Sequence, residues 1–276
     1  MDIRAKAEAF RALHKKGAAF IIPNPWDRGS ARLLAHMGFA ALATTSMGYA
    51  FSIGQTDGSL SREQTLANAR DLAEATDLPV SADLENGFGD SPEEAARTIT
   101  MAGATGIVGG SIEDSTGRKG DPIYDMALAV KRVEAAVAAA RALPFPFTLT
   151  ARAENYLHDR IDLADTIARL KAYEKAGADV LFAPGLRHRE DIEAVVKALD
   201  KPVNVLQGLT GALLSQAELA AIGVARISVG SSLCRAALGG FLEAANEMRE
   251  HGTFNFSAKA ASPRDITPIL APYSRK

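Results

Sequence analysis

The segment LPVSADLENGFGDSPEEAARTITMAGATGIVGGSIED, residues 78–114, holds two short apolar runs with one amphipathic stretch between them. The runs Val80–Glu85 and Gly106–Glu113 are apolar nearly throughout, which is typical of strands buried on both faces. Between them, Pro92–Ala102 places its apolar residues at helical spacing. This order predicts two parallel strands joined by a crossover helix.

The same alternation continues along the chain and gives eight strand-like runs in total. The other runs are Phe20–Pro23, Ala40–Thr45, Phe147–Arg152, Val180–Ala183, Val203–Leu206 and Arg226–Val229. The other amphipathic stretches are Arg62–Thr76, Ala127–Arg141, Leu163–Ala176 and Glu190–Leu199. Eight such units predict an α/β protein with the (β/α)8 TIM-type barrel fold.

The turns before the strands supply a second regularity. Glycine-containing turns precede every even-numbered run, and proline-containing turns precede the third, fifth and seventh. This alternation favours a closed barrel, although any α/β protein uses glycine and proline in its loops. No glycine-rich dinucleotide fingerprint follows the first run, which disfavours an open doubly wound sheet. We expect a single domain over residues 1–276 with a C-terminal helical arm from about 232 to 276, irregular after His251.

Composition and charge exclude several classes of function. The 276 residues carry 31 basic and 33 acidic side chains without a block of like charge, so nucleic-acid and polybasic membrane partners are disfavoured. No apolar run approaches the ~18 residues of a membrane span. With Cys234 as the single cysteine, an intrachain disulfide is impossible. We expect a cytoplasmic protein.

Acidic side chains stand at the carboxyl ends of the third and fourth predicted strands. Asp83 and Glu85 share one face of their strand because residues two apart point to the same side. With Glu113 they offer an all-oxygen ligand set, which suits Mg²⁺ or Mn²⁺ and not zinc. Alternatively, the three acids form salt bridges with Arg152 and cap the following helices.

Arg152 ends the fifth strand, where a guanidinium could hold a carboxylate or an enolate oxygen through two hydrogen bonds. Thr45, Ser46 and the backbone amides that follow could hold a second carboxylate group. No lysine lies in or at the end of a predicted strand, which disfavours a Schiff-base mechanism. A metal ion beside an arginine favours chemistry that passes through the enolate of an α-oxo acid.

These motifs, in this order, resemble the isocitrate lyase/phosphoenolpyruvate mutase superfamily over roughly residues 15–250. The resemblance rests on Pro23–Asp27, Thr44–Ser46, Asp83–Gly89, Ile112–Asp114 and Ala151–Glu154. It implies a (β/α)8 barrel whose eighth helix is exchanged between subunits of a homodimer or homotetramer. It also implies Mg²⁺ and a small α-oxo or 2-hydroxy carboxylate substrate.

The resemblance also implies a role for each matching residue. Asp83 corresponds to the direct metal ligand, while Glu85 and Glu113 hold water molecules around the metal. Asp57 corresponds to an aspartate near the metal and the reacting group. Arg152 corresponds to the arginine that contacts the substrate's oxo and carboxylate oxygens. The substrate-carboxylate cradle corresponds to Thr45 with the amides of Ser46 and Met47.

The departures from the family motifs narrow the reaction. The loop after the fourth strand, residues 115–121, lacks the cysteine and histidine of the isocitrate and methylisocitrate lyases and the Lys-Thr-Asn of the phosphonate enzymes. Ser231 stands where an oxaloacetate decarboxylase branch has histidine. We therefore expect a Mg²⁺-dependent carbon–carbon lyase of oxaloacetate-decarboxylase or hydrolase type. The alternatives are a phosphorus–carbon bond enzyme, with Asp57 near the phosphoryl group, and a barrel that binds Mg²⁺ and an oxo acid without turnover.

Overall fold

The computed structural model describes residues 2–208 and 213–274, and in them eight parallel strands form a nearly closed barrel. The strands are β1 (Phe20–Ile22), β2 (Leu42–Ala43), β3 (Val80–Asp83), β4 (Gly109–Glu113), β5 (Thr148–Arg152), β6 (Val180–Phe182), β7 (Val203–Leu206) and β8 (Arg226–Ser228). Neighbours pair in sequence order, and β8 pairs with β1. Between β1 and β2 the amide of Ala43 donates to the carbonyl of Pro23 at 3.1 Å. The predicted (β/α)8 barrel is confirmed.

Helices follow the strands and cover the outside of the barrel. They are α1 (Ile3–Leu13), α2 (Arg28–His36), α3 (Ser46–Ser52), α4 (Arg62–Ala75), α5 (Pro92–Gly103), α6 (Met126–Ala142), α7 (Leu163–Lys175), α8 (Arg189–Ala198), α9 (Gln216–Ile222), α10 (Ser232–His251) and α11 (Pro263–Leu270). Ser61 and Ser215 begin α4 and α9 with reciprocal capping boxes, which satisfy backbone donors at both starts.

Some strands are shorter than predicted because the last residues of the predicted runs leave the sheet and enter the following loops or helices. The run Val80–Glu85 ends as a strand at Asp83, since Glu85 has a left-handed backbone with φ of 48°. Thr45 likewise leaves β2 and becomes the N-cap of α3, its hydroxyl accepting from the amide of Gly48 at 3.2 Å. The side chains at these strand ends are thereby released from the sheet into the mouth of the barrel.

The apolar core lies between the strands and the helices and divides into two clusters. One centres on Phe10, Leu72 and Phe147, and the other on Leu170, Tyr173 and Val195. The centre of the barrel is different, because the inward side chains of β3, β4, β5, β7 and β8 are mostly polar. TIM barrels usually fill this volume with branched apolar residues. The site is therefore built around a polar barrel interior.

The C-terminal arm contains a further helix after His251, where the sequence predicts irregular structure. Helix α10 buries only Cys234, and Phe241 and Leu242 on it are exposed. The segment after His251 was expected to be irregular, which is wrong for α11. That helix starts from the Ser262 cap with Pro263 in its first turn, a favourable start signal.

The arm returns to the outside of its own barrel. Arg32 of α2 lies over the ring of Tyr273, with its guanidinium carbon 4.2 Å from the ring centre. Exchange of a helix between subunits and a single domain over residues 1–276 both stay predictions. Met1, 209–212 and 275–276 lie outside the described residues. None of the described helices combines the length and hydropathy needed to cross a membrane.

Candidate active site

A cavity of about 760 Å³ opens at the carboxyl ends of the strands. It brings together every residue that the sequence pointed to, from five loops and strand ends. The lining includes Thr45, Ser46, Met47, Asp57, Asp83, Glu85, Glu113 and Arg152. Functional residues of TIM barrels occupy this end because the loops that follow the strands meet there.

Arg152 is the centre of the charged cluster, and its side chain is only 14% exposed. Its Nη1 donates to Asp83 Oδ1 at 2.8 Å, and its Nε donates to Glu154 Oε1 at 2.8 Å. Its Nη2 lies 3.1 Å from Glu113 Oε2. One guanidinium therefore holds carboxylates from three adjacent strands in a fixed arrangement, as its planar set of donors allows.

Strand register brings these side chains together. The pairing of β4 with β5 sets Glu113 beside Arg152, and the pairing of β3 with β4 sets Asp83 beside Ser111. The residues lie far apart in the chain, 69 positions in the case of Asp83 and Arg152. Of the salt bridges that the sequence offered as an alternative, those from Asp83 and Glu113 to Arg152 are present, whereas none from Glu85 is found among the described residues.

Glu85 is the acid left without compensation. Its Oε1 is buried and has no hydrogen-bond partner among the described residues. Burial, together with the nearby Asp83 and Asp57, raises the pKa of Glu85 to about 8. Its left-handed backbone adds local strain, which non-glycine residues tolerate mainly at functional positions.

Burial governs the protonation of the other acids as well. It raises the pKa of Glu113 well above its ordinary value and raises that of Glu154, and Arg152 opposes both shifts. Burial alone would lower the pKa of Arg152, but Glu154, Glu113 and Asp83 raise it well above its ordinary range. Arg152 therefore stays positively charged, and the carboxyl groups around it outnumber this one positive charge.

The predicted carboxylate cradle stands at the start of α3. Ser46 donates from its Oγ to Asp83 Oδ2 at 2.8 Å and from its amide to the same oxygen at 3.3 Å. The hydroxyl of Thr45 accepts from the amide of Gly48 and keeps its own proton, and Thr45 and Met47 line the cavity beside Ser46. Asp83 is therefore held between this turn and Arg152.

Asp57 lies in the exposed loop between α3 and α4 and lines the mouth of the cavity. Loss of hydration against the cavity wall raises its pKa, and the charge of Asp83 raises it further. The charges of Asp83 and Arg152 both act on Asp57, so it lies near the charged cluster, and its role near a reacting group stays a prediction.

The sequence indicates that Arg152 and Glu154 share one face, but the support that Glu154 and Asp114 give to Arg152 was not predicted. Glu154 is buried, and its amide donates to Asp114 Oδ1 at 2.8 Å. Asp114 Oδ2 in turn accepts from Arg169 at 3.1 Å and from Tyr173 at 2.5 Å. The i, i+2 spacing of Arg152 and Glu154 was a usable signal for the first pair.

Sequence reasoning also missed Arg226, which lies inside the barrel beneath the charged cluster and lines the same cavity. Its Nε donates to Asn204 Oδ1 at 2.9 Å, its Nη2 donates to Thr150 Oγ1 at 3.0 Å, and its Nη1 contacts His14 Nε2 at 3.3 Å. None of the described carboxylates forms a salt bridge with it. Burial lowers the pKa of Arg226 to about 9.

Comparison with known proteins shows the family to which the chain belongs. The family model for phosphoenolpyruvate phosphomutase matches residues 10–249. The chain belongs to this family. A crystal structure of a candidate lyase/mutase from Burkholderia cenocepacia J2315 has 62% identity and a TM-score of 0.95, over 98% of this chain and 96% of that one.

Two relatives with named activities are more distant. The 2,3-dimethylmalate lyase of Eubacterium barkeri is 29% identical over 79% of this chain and 77% of its own length. The structure of an oxaloacetate acetylhydrolase with its product oxalate has 26% identity and a TM-score of 0.86, over 96% of this chain and 94% of that one. The family thus places the chain among enzymes of the isocitrate lyase/PEP mutase type.

Proposed function

We propose that the chain is a Mg²⁺-dependent carbon–carbon lyase acting on a small α-oxo or 2-hydroxy carboxylic acid. The observation that carries this proposal is the Arg152 guanidinium, fixed by three carboxylates inside a cavity lined by further acidic oxygens. Such a group can neutralise charge that develops on the oxygen of an enolate. We expect oxaloacetate-type decarboxylation or hydrolysis, because these reactions need the fewest additional acid groups.

The donor atoms fit a hard dication. Glu85 offers a buried oxygen without a partner, and Asp83 and Glu113 add carboxylates in the same cavity. No group of three or more acidic, histidine or cysteine side chains in the described ranges is clustered tightly enough to hold an ion by itself. Mg²⁺ tolerates this because it retains several waters and takes only one or two carboxylates. When bound, Mg²⁺ would supply Lewis acidity that polarises the oxo group of the substrate.

The protein's own groups would bind and orient the substrate. Arg152 presents its guanidinium to the oxo and carboxylate oxygens, and its three partners prevent it from turning away. Thr45 and the amide of Met47 would hold the carboxylate, because the amide of Ser46 already donates to Asp83. Because donors are fixed before the reaction, little reorganisation is needed when charge moves to the enolate oxygen.

The experiment is turnover of a panel of such acids with and without Mg²⁺, compared with an enzyme-free blank. Carbon NMR distinguishes pyruvate and CO₂ from oxalate and acetate as products of oxaloacetate. We expect turnover that EDTA abolishes, that Mg²⁺ or Mn²⁺ restores, and that Asp83→Ala reduces by at least about 100-fold. Asp71→Ala, on the exposed face of α4, is the matched control. Activity indifferent to both EDTA and Asp83→Ala would refute the proposal.

Phosphorus–carbon bond chemistry is the second candidate. The matching family model is that of phosphoenolpyruvate phosphomutase, and Asp57 lines the cavity where a phosphoryl group could lie. Phosphorus NMR with phosphonopyruvate tests it. An unchanged spectrum removes this candidate, whereas a new phosphorus signal replaces the first proposal.

A further inference from the structure

The loop after β4 lacks histidine, yet a histidine from the neighbouring loop contacts it. His158 ends a 3₁₀ turn, Asn155–His158, that follows β5. Its Nε2 shares a hydrogen bond of 3.1 Å with Ser115 Oγ, the first side chain of the loop segment 115–121. Both residues line the cavity that contains Arg152.

The backbone places this pair above the charged cluster. Ser115 follows Glu113 by two residues and forms an extended bridge with Ile123, so its side chain faces the cavity, as that of Glu113 does. Two residues of extended chain correspond to about 7 Å. The Ser115–His158 pair therefore stands nearer the mouth than the guanidinium that would hold the substrate.

The position of His158 is fixed by its own loop. Asn155 is buried and donates through its side chain to the carbonyls of Arg160 and Asp162, both at 3.2 Å, and to Thr166 Oγ1 at 2.6 Å. Ser115 Oγ also accepts from the amide of Gly117 at 3.4 Å. A pair held in this way has the preorganisation that proton transfer requires.

The surroundings favour an uncharged ring that can gain and release a proton. Burial lowers the pKa of His158, Asp114 raises it, Arg160 lowers it and Asp159 raises it, with a net lowering. Imidazole near neutral pH is suited to general acid–base work because both protonation states are accessible.

We propose that His158 is the acid–base group of this site and exchanges its proton with the substrate carbon through the hydroxyl of Ser115. This inference rests on the proposed function. The step begins when the carbon–carbon bond breaks and its electron pair enters the enolate. The enolate carbon then takes the proton of Ser115 Oγ, forming a C–H bond, while Ser115 Oγ takes the proton of His158 Nε2. The ring is left neutral and regains a proton from solvent, so one solvent proton is consumed per decarboxylation.

Pyruvate itself is the probe, because the reverse half of this step exchanges its methyl protons with solvent. The enzyme is incubated with pyruvate and Mg²⁺ in D₂O, and proton NMR follows the loss of the methyl signal. We expect His158→Gln to slow the exchange by at least about 100-fold and Ser115→Ala to slow it by at least about 10-fold. His188→Gln, a histidine exposed at the start of α8 and outside the cavity lining, should exchange at the wild-type rate.

Two further measurements separate chemistry from structure. Imidazole added to His158→Ala should restore exchange, which a merely structural residue would not permit. Calorimetry with oxalate and Mg²⁺ should show binding by His158→Gln within about threefold of wild type. Wild-type exchange rates in His158→Gln, or loss of oxalate binding together with exchange, would overturn the inference.

The outcome for the wild type distinguishes the two proposals. If the wild type turns over an acid of the panel in a Mg²⁺-dependent manner while His158→Gln is equally active, only the role of His158 is refuted. If the wild type neither turns over any acid nor exchanges pyruvate, the proposed function fails, and the role of His158 fails with it.

Discussion

Arg152 and Arg226 are both buried in the barrel, in two successive layers of inward side chains. Arg152 lies in the upper level, at the carboxyl ends of the strands, and Arg226 lies in the lower level, and the charges around the two differ. Arg152 contacts three carboxylates, whereas the partners of Arg226 among the described residues are an amide, a hydroxyl and an imidazole. Thr150, a partner of Arg226, precedes Arg152 by two residues on β5, so the levels are about 7 Å apart. The upper level has an excess of acid oxygens and the lower level has an excess of positive charge.

This difference shows where a cation would be stabilised. A buried charge is costly unless it is paired, and the upper level holds more carboxylates than Arg152 can pair. Protonation neutralises part of this excess negative charge, as the raised pKa values of Glu85 and Glu113 indicate. A divalent cation would neutralise it more fully. The lower level has no such need, and its arginine serves to connect strands through neutral partners.

The largest effect is expected for Arg152→Met, which should reduce turnover by about 1000-fold because the enolate oxygen loses its donor. Removal of the guanidinium also leaves three carboxylates unpaired, which should lower the free energy of unfolding by about 3–5 kcal/mol. Steady-state kinetics and urea unfolding measure the two effects. Arg152→Lys keeps the positive charge but loses the planar set of donors. Relative to Arg152→Met, it should therefore restore more of the stability than of the turnover. Turnover by Arg152→Met within tenfold of wild type would contradict the assignment.

A smaller effect is expected for Arg226→Met. Asn204 and Thr150 lose a hydrogen-bond donor, which should lower the free energy of unfolding by about 1–3 kcal/mol, offset in part by removal of an unpaired charge. Turnover should stay within a few-fold of wild type. The same urea and kinetic measurements apply. A loss of turnover as large as that of Arg152→Met would show that the lower level takes part in the reaction.

The third effect concerns the pH dependence of stability. The pKa of Glu85 is raised from 4.5 to about 8 in the folded state, which therefore binds that proton more tightly than the unfolded chain does. Without Mg²⁺, the stability that Glu85 contributes is complete below pH 4.5 and is lost as pH rises through about 8. The thermal midpoint, measured in EDTA, should fall more for wild type than for Glu85→Gln over this range. Parallel curves for the two proteins would contradict this account.

Much of the fold could be predicted because it depends on local pattern. Each of the eight predicted runs contains a strand of the barrel, since apolar runs that alternate with amphipathic helices have few other solutions. Local geometry was less predictable. The glycine-containing turn predicted before β4 is centred on Gly103, but Gly103 is the last residue of α5 and lies against Leu143, and the left-handed glycine is Gly106.

The site was predictable only as a set of strand-end residues. Asp83, Glu113 and Arg152 could be named because acids and arginine at the ends of apolar strands are unusual. The pairing of Asp83 and Glu113 with Arg152 was one predicted alternative, whereas the support from Glu154 and Asp114 was not predicted. Arg226 was missed because a charged residue at the first position of an apolar run is usually exposed to solvent, whereas Arg226 is buried.

The sequence by itself determined eight buried strands, the helices between them and the charged residues at the carboxyl ends, because hydropathy and periodicity act over a few residues. Only the tertiary structure decided which charges meet, that Glu85 keeps an unpaired oxygen, and that His158 reaches Ser115. Electrostatic pairing depends on distance and burial, and in a barrel both are set by strand register and closure between residues far apart in the chain.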